Sequence, residues 1–248
     1  MLTLIAAVRR KPGMTRQAFA HYLRHVHGPL SAAKPLGVRR YVQNHVFDAS
    51  FGSEEDLSYL TDFGRDAVTE LQFDDLNALA ATMSDPYTRE VIGPDGAHFN
   101  DMPSALALPA RPVAATPPAP SEDDGRVKVL HFLSRADGVS PDDFTQRSLA
   151  AHEVALSQDE PHTKVILGNA QHVRVPGAEQ ALRHFGGARQ PVYEAVTTLY
   201  YDSADEALTH FPAYERSLRE LSAESGRFYD PSRSFVLYCR EVTIFEQP

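Results

Sequence analysis

Apolar side chains recur at helical spacing between Thr15 and Leu30, near the start of the chain. With Phe19 as the origin and about 100° per residue, three further apolar side chains fall within about 60° of it: Tyr22, Leu23 and Val26. Thr15 is a suitable N-cap, and Gly28-Pro29 favours a helix end, because glycine accepts left-handed angles and proline disfavours helical angles in the preceding residue. The pattern therefore predicts an amphipathic helix that packs on a sheet and ends at Gly28.

His27 falls about 80° from Phe19 on the same helical wheel, at the edge of the apolar stripe. We predict that its imidazole is half-buried where the helix ends. The partial negative charge of a helix C-terminus would there favour the protonated form and keep the pKa near neutral. Such a histidine is suited to general acid–base chemistry. The alternative is that it only caps or fills the helix end.

Shorter patterns around this helix are typical of four strands and a second helix. The predicted strands are Thr3–Val8, Val38–Phe47, Asp66–Phe73 and Ser104–Leu108, and the predicted helix is Asp74–Met83. Residues 48–62 are polar, follow no consistent period and predict a loop. The resulting order, β-α-β-β-α-β, is that of the split ferredoxin-like motif.

Much of this pattern occurs twice in the chain. Residues 125 positions apart match in three pairs: Phe19 with Phe144, His27 with His152, and Asn44 with Asn169. Further along, residues 67–74 match 195–202 at an offset of 128, and 99–101 match 228–230 at an offset of 129. Ser140 and Ser203 are predicted N-caps of the two helices in the second copy. Ordered matches with so little drift indicate two diverged copies of one module.

The repeat divides the chain into modules at residues 1–108 and 127–248, joined by a Pro-, Ala- and acid-rich linker at 109–126. The last strand, Ser234–Phe245, is long enough to reach beyond its own sheet. A four-stranded sheet with helices on one face leaves the other face bare, and two modules can cover each other. We therefore predict an α+β fold of tandem ferredoxin-like modules that form an intramolecular dimeric α/β barrel. The two modules would form a pseudo-dimer within one chain, and two such chains could pair further as a homodimer.

The composition excludes several classes of function. Apolar residues make up 42% of the chain and charged residues 23%, as in ordinary globular proteins. A net charge of −9 and the lack of Lys/Arg clusters argue against binding to nucleic acid. The single cysteine, Cys239, excludes an internal disulfide and favours a reducing compartment. No run has the length of a membrane span or the form of a secretion signal, so we expect a cytoplasmic protein with no membrane partner.

Several motifs of the first copy resemble the signature of the EthD-domain family. They are Lys11–Thr15, Phe19, His25–Leu30 and Arg40–Asn44, followed by Val68–Leu79 and by Asp95, Phe99 and Asp101. The resemblance implies a barrel of two facing sheets and small-molecule chemistry without an organic cofactor. It implies relatives among dehydratases, cyclases and decarboxylases of aromatic polyketide pathways and among muconolactone isomerases. It also implies that His27 is the catalytic group.

The second copy resembles the same domain in a diverged form. His152, Gly168 and Asn169 remain, whereas Ala150 replaces His25, Glu153 replaces Gly28, and Ile166 replaces Tyr41. We expect this copy to be mainly structural or to set specificity, with His152 and Asn169 as substrate-binding candidates.

Tyr41 and His45 are four residues apart on one face of a predicted strand, so both can enter one cavity. Tyr41 could donate to a developing oxyanion or phenolate, and His45 could bind substrate. The alternatives are a core aromatic residue and a surface histidine. Asn44 points to the opposite face unless a bulge turns it toward a substrate. A structural hydrogen bond shared with Asn169 explains that pair equally well.

The eleven histidines raise the question of a metal or haem. His21, His25 and His27 do not share one helix face, and no acid accompanies a histidine pair in a zinc-protease pattern, so we predict no metal site and no cofactor. Haem binding remains an alternative, because one histidine would suffice.

These features favour a cofactor-independent lyase, cyclase or isomerase of the dehydratase type. His27 would move a proton, Tyr41 would stabilise the oxygen charge, and the substrate would be a small oxygenated aromatic polyketide or lactone intermediate. One alternative is a non-catalytic binding or accessory protein for a hydrophobic pathway intermediate. The other is a haem-binding barrel protein.

Overall fold

The computed structural model of the protein describes residues 1–52, 64–119, 125–177 and 192–247. Eight strands form its centre: β1 (Leu2–Val8), β2 (Arg40–Phe51), β3 (Ala67–Phe73), β4 (Leu106–Thr116), β5 (Val127–Ser134), β6 (Gly168–Arg174), β7 (Tyr193–Tyr201) and β8 (Phe235–Glu246). All their pairings are antiparallel. They close into a barrel in the order β1-β3-β2-β8-β5-β7-β6-β4. This mixed helix and strand architecture confirms the predicted α+β class.

The helices of the described part are α1 (Arg16–Tyr22), α2 (Gly28–Ala32), α3 (Leu76–Ser84), α4 (Gly93–Phe99), α5 (Pro141–Ser157), α6 (Pro161–Lys164) and α7 (Ala204–Glu224). Two π-helical turns, Leu23–His27 and Thr88–Ile92, lead into α2 and α4. Short 3-10 turns at Met102–Ser104 and Pro231–Arg233 precede β4 and β8. Predicted N-caps are confirmed, since the hydroxyls of Thr15, Ser140 and Ser203 each accept a backbone N–H of the following helix. In the described ranges, no helix combines the length and apolarity needed to cross a membrane.

Side chains on alternate strand positions enter different cores, as the two-residue period of a strand requires. Ile5, Val68 and Leu130 belong to a cluster formed by strand residues of both halves of the chain. Val129 belongs instead to a cluster with helices α5 and α7. Strands β1 and β5 are thus buried on both faces over their whole length.

Strand β8 joins the two halves, as its predicted length suggested. It pairs with β5 of its own half and, over Phe235–Glu246, with β2 of the first half. The second junction is between β4 and β6. Each half of the chain therefore contributes four neighbouring strands, in the orders β4-β1-β3-β2 and β8-β5-β7-β6.

Two predicted boundaries are wrong. Strand β4 runs through Thr116, so the first eight residues of the predicted linker, 109–116, are strand residues paired with β1 or β6. The proline at 112 is tolerated because the register shifts there, and a bulge removes the need for its missing N–H. Strand β2 continues to Phe51, paired with β8, where a loop was predicted from residue 48. Residues 53–62 of that predicted loop and residues 120–124 of the predicted linker lie outside the described residues.

The strand pairing also corrects the alignment of the two copies. Asn44 pairs with Val68, and the residue that pairs with the matching Val196 is His172, not Asn169. Asn169 pairs with Leu199, as Tyr41 pairs with Leu71. The second copy therefore places Asn169, and not Ile166, at the position of Tyr41.

Candidate active site

A cavity of about 460 Å³ lies in the first half of the chain. Its wall is formed by strands β1 to β3, the helical segment from Leu23 to Ser31, and the segment from Thr88 to Met102. The lining is mostly apolar and includes Leu71, Met83, Phe99 and Phe245. Its polar side chains include those of His27 and Tyr41, the two residues predicted to be catalytic.

His27 is positioned by a π-helical turn, and the predicted helix end at Gly28 is wrong. The N–H of Gly28 donates to the carbonyl of Leu23, five residues back, and α2 continues the helix to Ala32. Pro29 explains the wide turn, because its ring would clash with the carbonyl of residue 25 in a regular α-helix. The second copy has lost Gly-Pro, and its helix α5 is regular through Ser157.

Asp95 holds the His27 ring. Its Oδ2 lies 2.7 Å from His27 Nδ1, and its Oδ1 accepts a 2.7 Å hydrogen bond from the Tyr22 hydroxyl. The Phe99 ring packs 4.8 Å from the imidazole. With its side chain 15% exposed, His27 is nearly enclosed but still reaches the cavity.

Burial lowers the pKa of His27, and the hydrogen bond and charge of Asp95 only partly oppose this effect. The prediction that a helix C-terminus raises the pKa is wrong, since the helix does not end there. The imidazole is therefore neutral near pH 7. Because Asp95 can only accept when ionised, Nδ1 carries the proton and Nε2 presents a lone pair. This is the form of histidine that acts as a general base.

A chain of hydrogen bonds connects the polar side chains on one face of β2. Gln43 Nε2 donates to the Tyr41 hydroxyl at 2.9 Å and to the Leu23 carbonyl at 2.8 Å. The Tyr41 oxygen thus accepts from Gln43, which leaves its own proton free for a group in the cavity. Burial raises the pKa of Tyr41, so the phenol stays protonated.

His45 does not line this cavity, contrary to the prediction that it shares one with Tyr41. Its Nε2 lies 3.2 Å from Gln43 Oε1, behind the tyrosine in the chain of hydrogen bonds. Burial is the main cause that lowers its pKa to about 4. A neutral His45 is placed to fix the orientation of the Gln43 amide.

Asn44 lies on the opposite face of β2 and does not line the cavity, so its predicted contact with substrate is wrong. Its Nδ2 donates to the Val68 carbonyl at 3.1 Å and to Glu70 Oε1 at 2.8 Å. This arrangement agrees with the alternative of a structural hydrogen bond.

His152 and Asn169, the candidates in the second copy, do not line the cavity either. His152 Nδ1 lies 2.6 Å from the Tyr214 hydroxyl and Nε2 lies 3.5 Å from Asn169 Oδ1. Burial lowers the pKa of this imidazole to about 4. His152 therefore lacks the carboxylate partner of His27 and is a core residue.

Two residues of the site, Tyr22 and Gln43, had no predicted role in it, and Asp95 was identified only as a residue of the motifs that resemble the family signature. Asp95 follows Gly93-Pro94 and a π-helical turn, as the second half of a pair with His27-Gly28-Pro29. The recurrence of Gly-Pro next to the acid was the available signal. Over the described ranges, no group of three or more His, Cys, Asp or Glu side chains is placed to hold a metal ion.

Comparison with known proteins gives a family and a fold. The family model described as EthD domain matches residues 11–103 and 136–232. Dehydratase ustZ of Ustilaginoidea virens is 25% identical over 97 residues, which cover 37% of this chain and 69% of that protein.

Two solved structures named as candidate monooxygenases are similar over nearly the whole chain. The protein from Fusobacterium nucleatum gives a TM-score of 0.55 at 7% identity, covering 99% of this chain and 93% of its own. The protein from Lactobacillus acidophilus gives 0.51 at 11% identity, covering 99% and 95%. At such identities the similarity concerns the fold alone.

Proposed function

Since the chain belongs to the EthD-domain family, as its motifs predicted, we propose that it is a cofactor-independent lyase of the dehydratase type. The observation that carries this proposal is the neutral His27, held by Asp95 through Nδ1 and facing an apolar cavity shared with Tyr41. The partial similarity to a dehydratase supports the reaction type. The substrate is a small oxygenated aromatic or lactone-type intermediate, such as those of polyketide pathways.

The proposed reaction begins with proton abstraction. His27 Nε2 removes a proton from the carbon next to a substrate carbonyl, and the electron pair moves toward the carbonyl oxygen to give an enolate. The charge of Asp95 stabilises the imidazolium that forms. His27 then returns the proton to the β-hydroxyl as the enolate re-forms the carbonyl and the C–O bond breaks. The net products are an unsaturated ketone and one water molecule.

Tyr41 stabilises the enolate in this scheme. Its proton is free because its oxygen accepts from Gln43, and burial keeps it protonated. The second copy supports a short distance between His27 and Tyr41 in this scheme. There Asn169, at the position of Tyr41, lies 3.5 Å from Nε2 of His152.

We propose further that the chain consists of two ferredoxin-like modules, the predicted first one (1–108) extended by strand β4 to residue 116 and the second at 127–248, of which the first is active and the second structural. The matching strand orders of the two halves support this division. The protein would act in the cytoplasm as a pseudo-dimer on a small-molecule substrate.

The test uses 3-hydroxy-1-tetralone, whose loss of water yields fluorescent 1-naphthol. We expect the wild-type protein to accelerate this conversion and His27→Gln to lower kcat by about 10² to 10⁴, the usual contribution of general acid–base catalysis. Tyr41→Phe should lower kcat more than it changes KM. The control is His25→Gln, an exposed position on the same π-helical turn, which should retain full activity.

An unchanged rate in His27→Gln would refute the catalytic assignment. Exchange of the C2 protons of 1-tetralone with D₂O, followed by NMR, tests the first step alone. Binding of 1-tetralone with no exchange and no dehydration would instead favour the accessory-protein alternative, which the apolar lining also allows.

A further inference from the structure

The charged side chains that line the cavity are positive, whereas the net charge of the chain is negative. The protein carries a net charge of −9. Nevertheless, the cavity is lined by two cationic side chains, Lys34 and Arg89, and by no aspartate or glutamate among the described residues. Both cations are exposed, whereas His27 lies deeper. The cavity therefore has a basic rim and an apolar interior.

The two cations differ in how far other side chains of the protein neutralise their charge. Lys34 Nζ lies 3.0 Å from Asp85 Oδ1 and 5.5 Å from the centre of the Tyr87 ring, so its charge is largely matched within the protein. The backbone N–H of Arg89 donates to the Asp85 carbonyl, but its side chain has no hydrogen bond or ion pair with any residue in the described part of the chain. Its guanidinium is thus free to receive a ligand.

Arg89 belongs to the π-helical turn Thr88–Ile92. The N–H of Gly93 closes this turn on the Thr88 carbonyl, five residues back. The same segment continues into α4, which carries Asp95. One continuous segment thus supplies both the rim cation and the residue that holds His27.

We propose that the substrate of this site is an aromatic carboxylate of two or three rings, whose carboxylate binds Arg89 while its rings occupy the cavity toward His27. This inference rests on the proposed function and names its substrate class. A guanidinium offers two parallel N–H donors that match a carboxylate. A volume of about 460 Å³ lies in the range of sites for small organic ligands. Leu71, Met83, Phe99 and Phe245 provide the apolar contacts for the rings.

The experiment compares 2-naphthoate with 2-naphthamide, which has nearly the same shape without the charge. Dissociation constants are measured from ligand fluorescence at pH 7.5 and low salt, in the wild type, Arg89→Gln and Arg111→Gln. Arg111 is exposed on β4 and does not line the cavity, so it controls for the loss of one positive charge.

We expect the wild type to bind naphthoate at least about tenfold more tightly than naphthamide, with the advantage falling as NaCl rises. Arg89→Gln should remove most of this advantage and leave naphthamide binding unchanged, and Arg111→Gln should behave as wild type. Equal affinities for the two ligands, no binding of either, or equal effects of the two substitutions would overturn the inference.

The experiments distinguish a wrong substrate class from a wrong reaction. Binding does not require turnover, and His27→Gln should keep the preference for naphthoate. If the carboxylate preference depends on Arg89 but 3-hydroxy-1-tetralone is not dehydrated and 1-tetralone does not exchange, the ligand class stands and the reaction is wrong. If dehydration depends on His27 without any carboxylate preference, the reaction stands and the ligand class is wrong.

Discussion

His27 Nδ1 lies 2.7 Å from Asp95 Oδ2, across 68 residues of sequence. His27 directly precedes one Gly-Pro pair and Asp95 directly follows another, and each pair comes directly after a π-helical turn. A carboxylate on Nδ1 selects the tautomer with a bare Nε2 and stabilises the imidazolium after proton abstraction. The histidine of the second copy has a tyrosine hydroxyl at this position instead. The pair is thus the clearest chemical difference between the two halves.

Asp95→Asn should lower kcat by about 10² to 10⁴ because an amide can donate to Nδ1 and then select the wrong tautomer. The substitution also removes the interaction that raises the pKa of His27, so that pKa should fall further below its ordinary value. In a profile of kcat/KM against pH, the acid limb should move to lower pH, since the base is active only when unprotonated. A limb that moves to higher pH would contradict this account.

Tyr22→Phe is the matched control for that substitution. It removes the hydrogen bond to Asp95 Oδ1 and leaves the bond between Oδ2 and His27 in place. We expect a loss of activity of no more than about tenfold, in line with about 1 kcal/mol for one hydrogen bond. An effect as large as that of Asp95→Asn would mean that Tyr22 itself takes part in the chemistry.

The repeat, the strands and the helix N-caps could be predicted because they depend on local signals. Alternation along β2 and the hydroxyl of Ser140 act within a few residues. The end of the first helix was misjudged because Gly28-Pro29 usually stops a helix, and here a π-helical turn accommodates the proline.

The site depends on contacts between distant segments, which local patterns do not report. Asp95 lies in a short segment, Gly93–Phe99, whose Gly and Pro content hides a helix. The alignment of Asn44 with Asn169 failed because identity of residue type outweighed strand register. A shift of three positions sufficed to assign the partner of Tyr41 wrongly.

Gly28→Ala should destabilise the site through close packing. A Cβ at this position would lie 3.2 Å from Gln43 Nε2 and 3.3 Å from the Leu23 carbonyl oxygen, the two atoms of one hydrogen bond. We expect a loss of about 1 to 3 kcal/mol in the free energy of unfolding, measured with urea. Activity should fall as well, because Gln43 also orients Tyr41.

Gly96→Ala, in helix α4, is the control for added volume. The nearest atom to its Cβ would be Met102 Sδ at 3.7 Å, an ordinary contact. Since alanine favours a helix more than glycine, stability should stay equal or rise by up to about 1 kcal/mol. If both variants lose the same stability, close packing at Gly28 is not the cause.

Lys128→Met should reveal how strongly an ion cluster joins the two halves. Lys128, 2% exposed on β5, lies 2.5 Å from Glu70 Oε1 of the first half and 2.8 Å from Glu241 Oε2. Burial opposes ionisation of Glu70, but Lys128 outweighs it and holds the pKa of this carboxyl below its ordinary value. Removing the ammonium leaves the buried Glu70 without its cation, whereas Glu241 keeps its 3.1 Å ion pair with Arg40, and we expect a loss of about 3 to 5 kcal/mol at pH 7.5.

The pH dependence of this variant has a definite sign. Without Lys128, burial raises the pKa of Glu70, so the carboxyl is protonated as the pH falls and its cost disappears. The stability gap between wild type and Lys128→Met should therefore narrow from pH 7.5 to pH 5 in urea unfolding. The double variant with Glu70→Gln should regain stability at pH 7.5, because the amide still accepts from Asn44. A gap that is constant with pH would contradict the assignment.

Three histidines, of which His131 and His152 are buried and His45 is half-buried, should make the protein lose stability in acid well above the range in which carboxylates titrate. Burial lowers the pKa of His45 and His152 to about 4 and that of His131 to about 3. The unfolded chain binds their protons near pH 6.5, and the folded chain does so only near these lower values. Stability is therefore fully present above about pH 6.5 and falls with decreasing pH by about 1.4 kcal/mol per pH unit for each histidine.

His131→Leu isolates one of these contributions. The ring lies against Phe211 and Tyr229 with no hydrogen-bond partner for Nδ1 in the described part of the chain, so leucine suits the site. Urea unfolding between pH 7 and pH 4.5 should show a shallower decline than in wild type, by about 1.4 kcal/mol per pH unit. His25→Gln, at an exposed position, should keep the wild-type slope. An unchanged slope in His131→Leu would show that this imidazole accepts a proton in the folded protein as readily as in the unfolded chain.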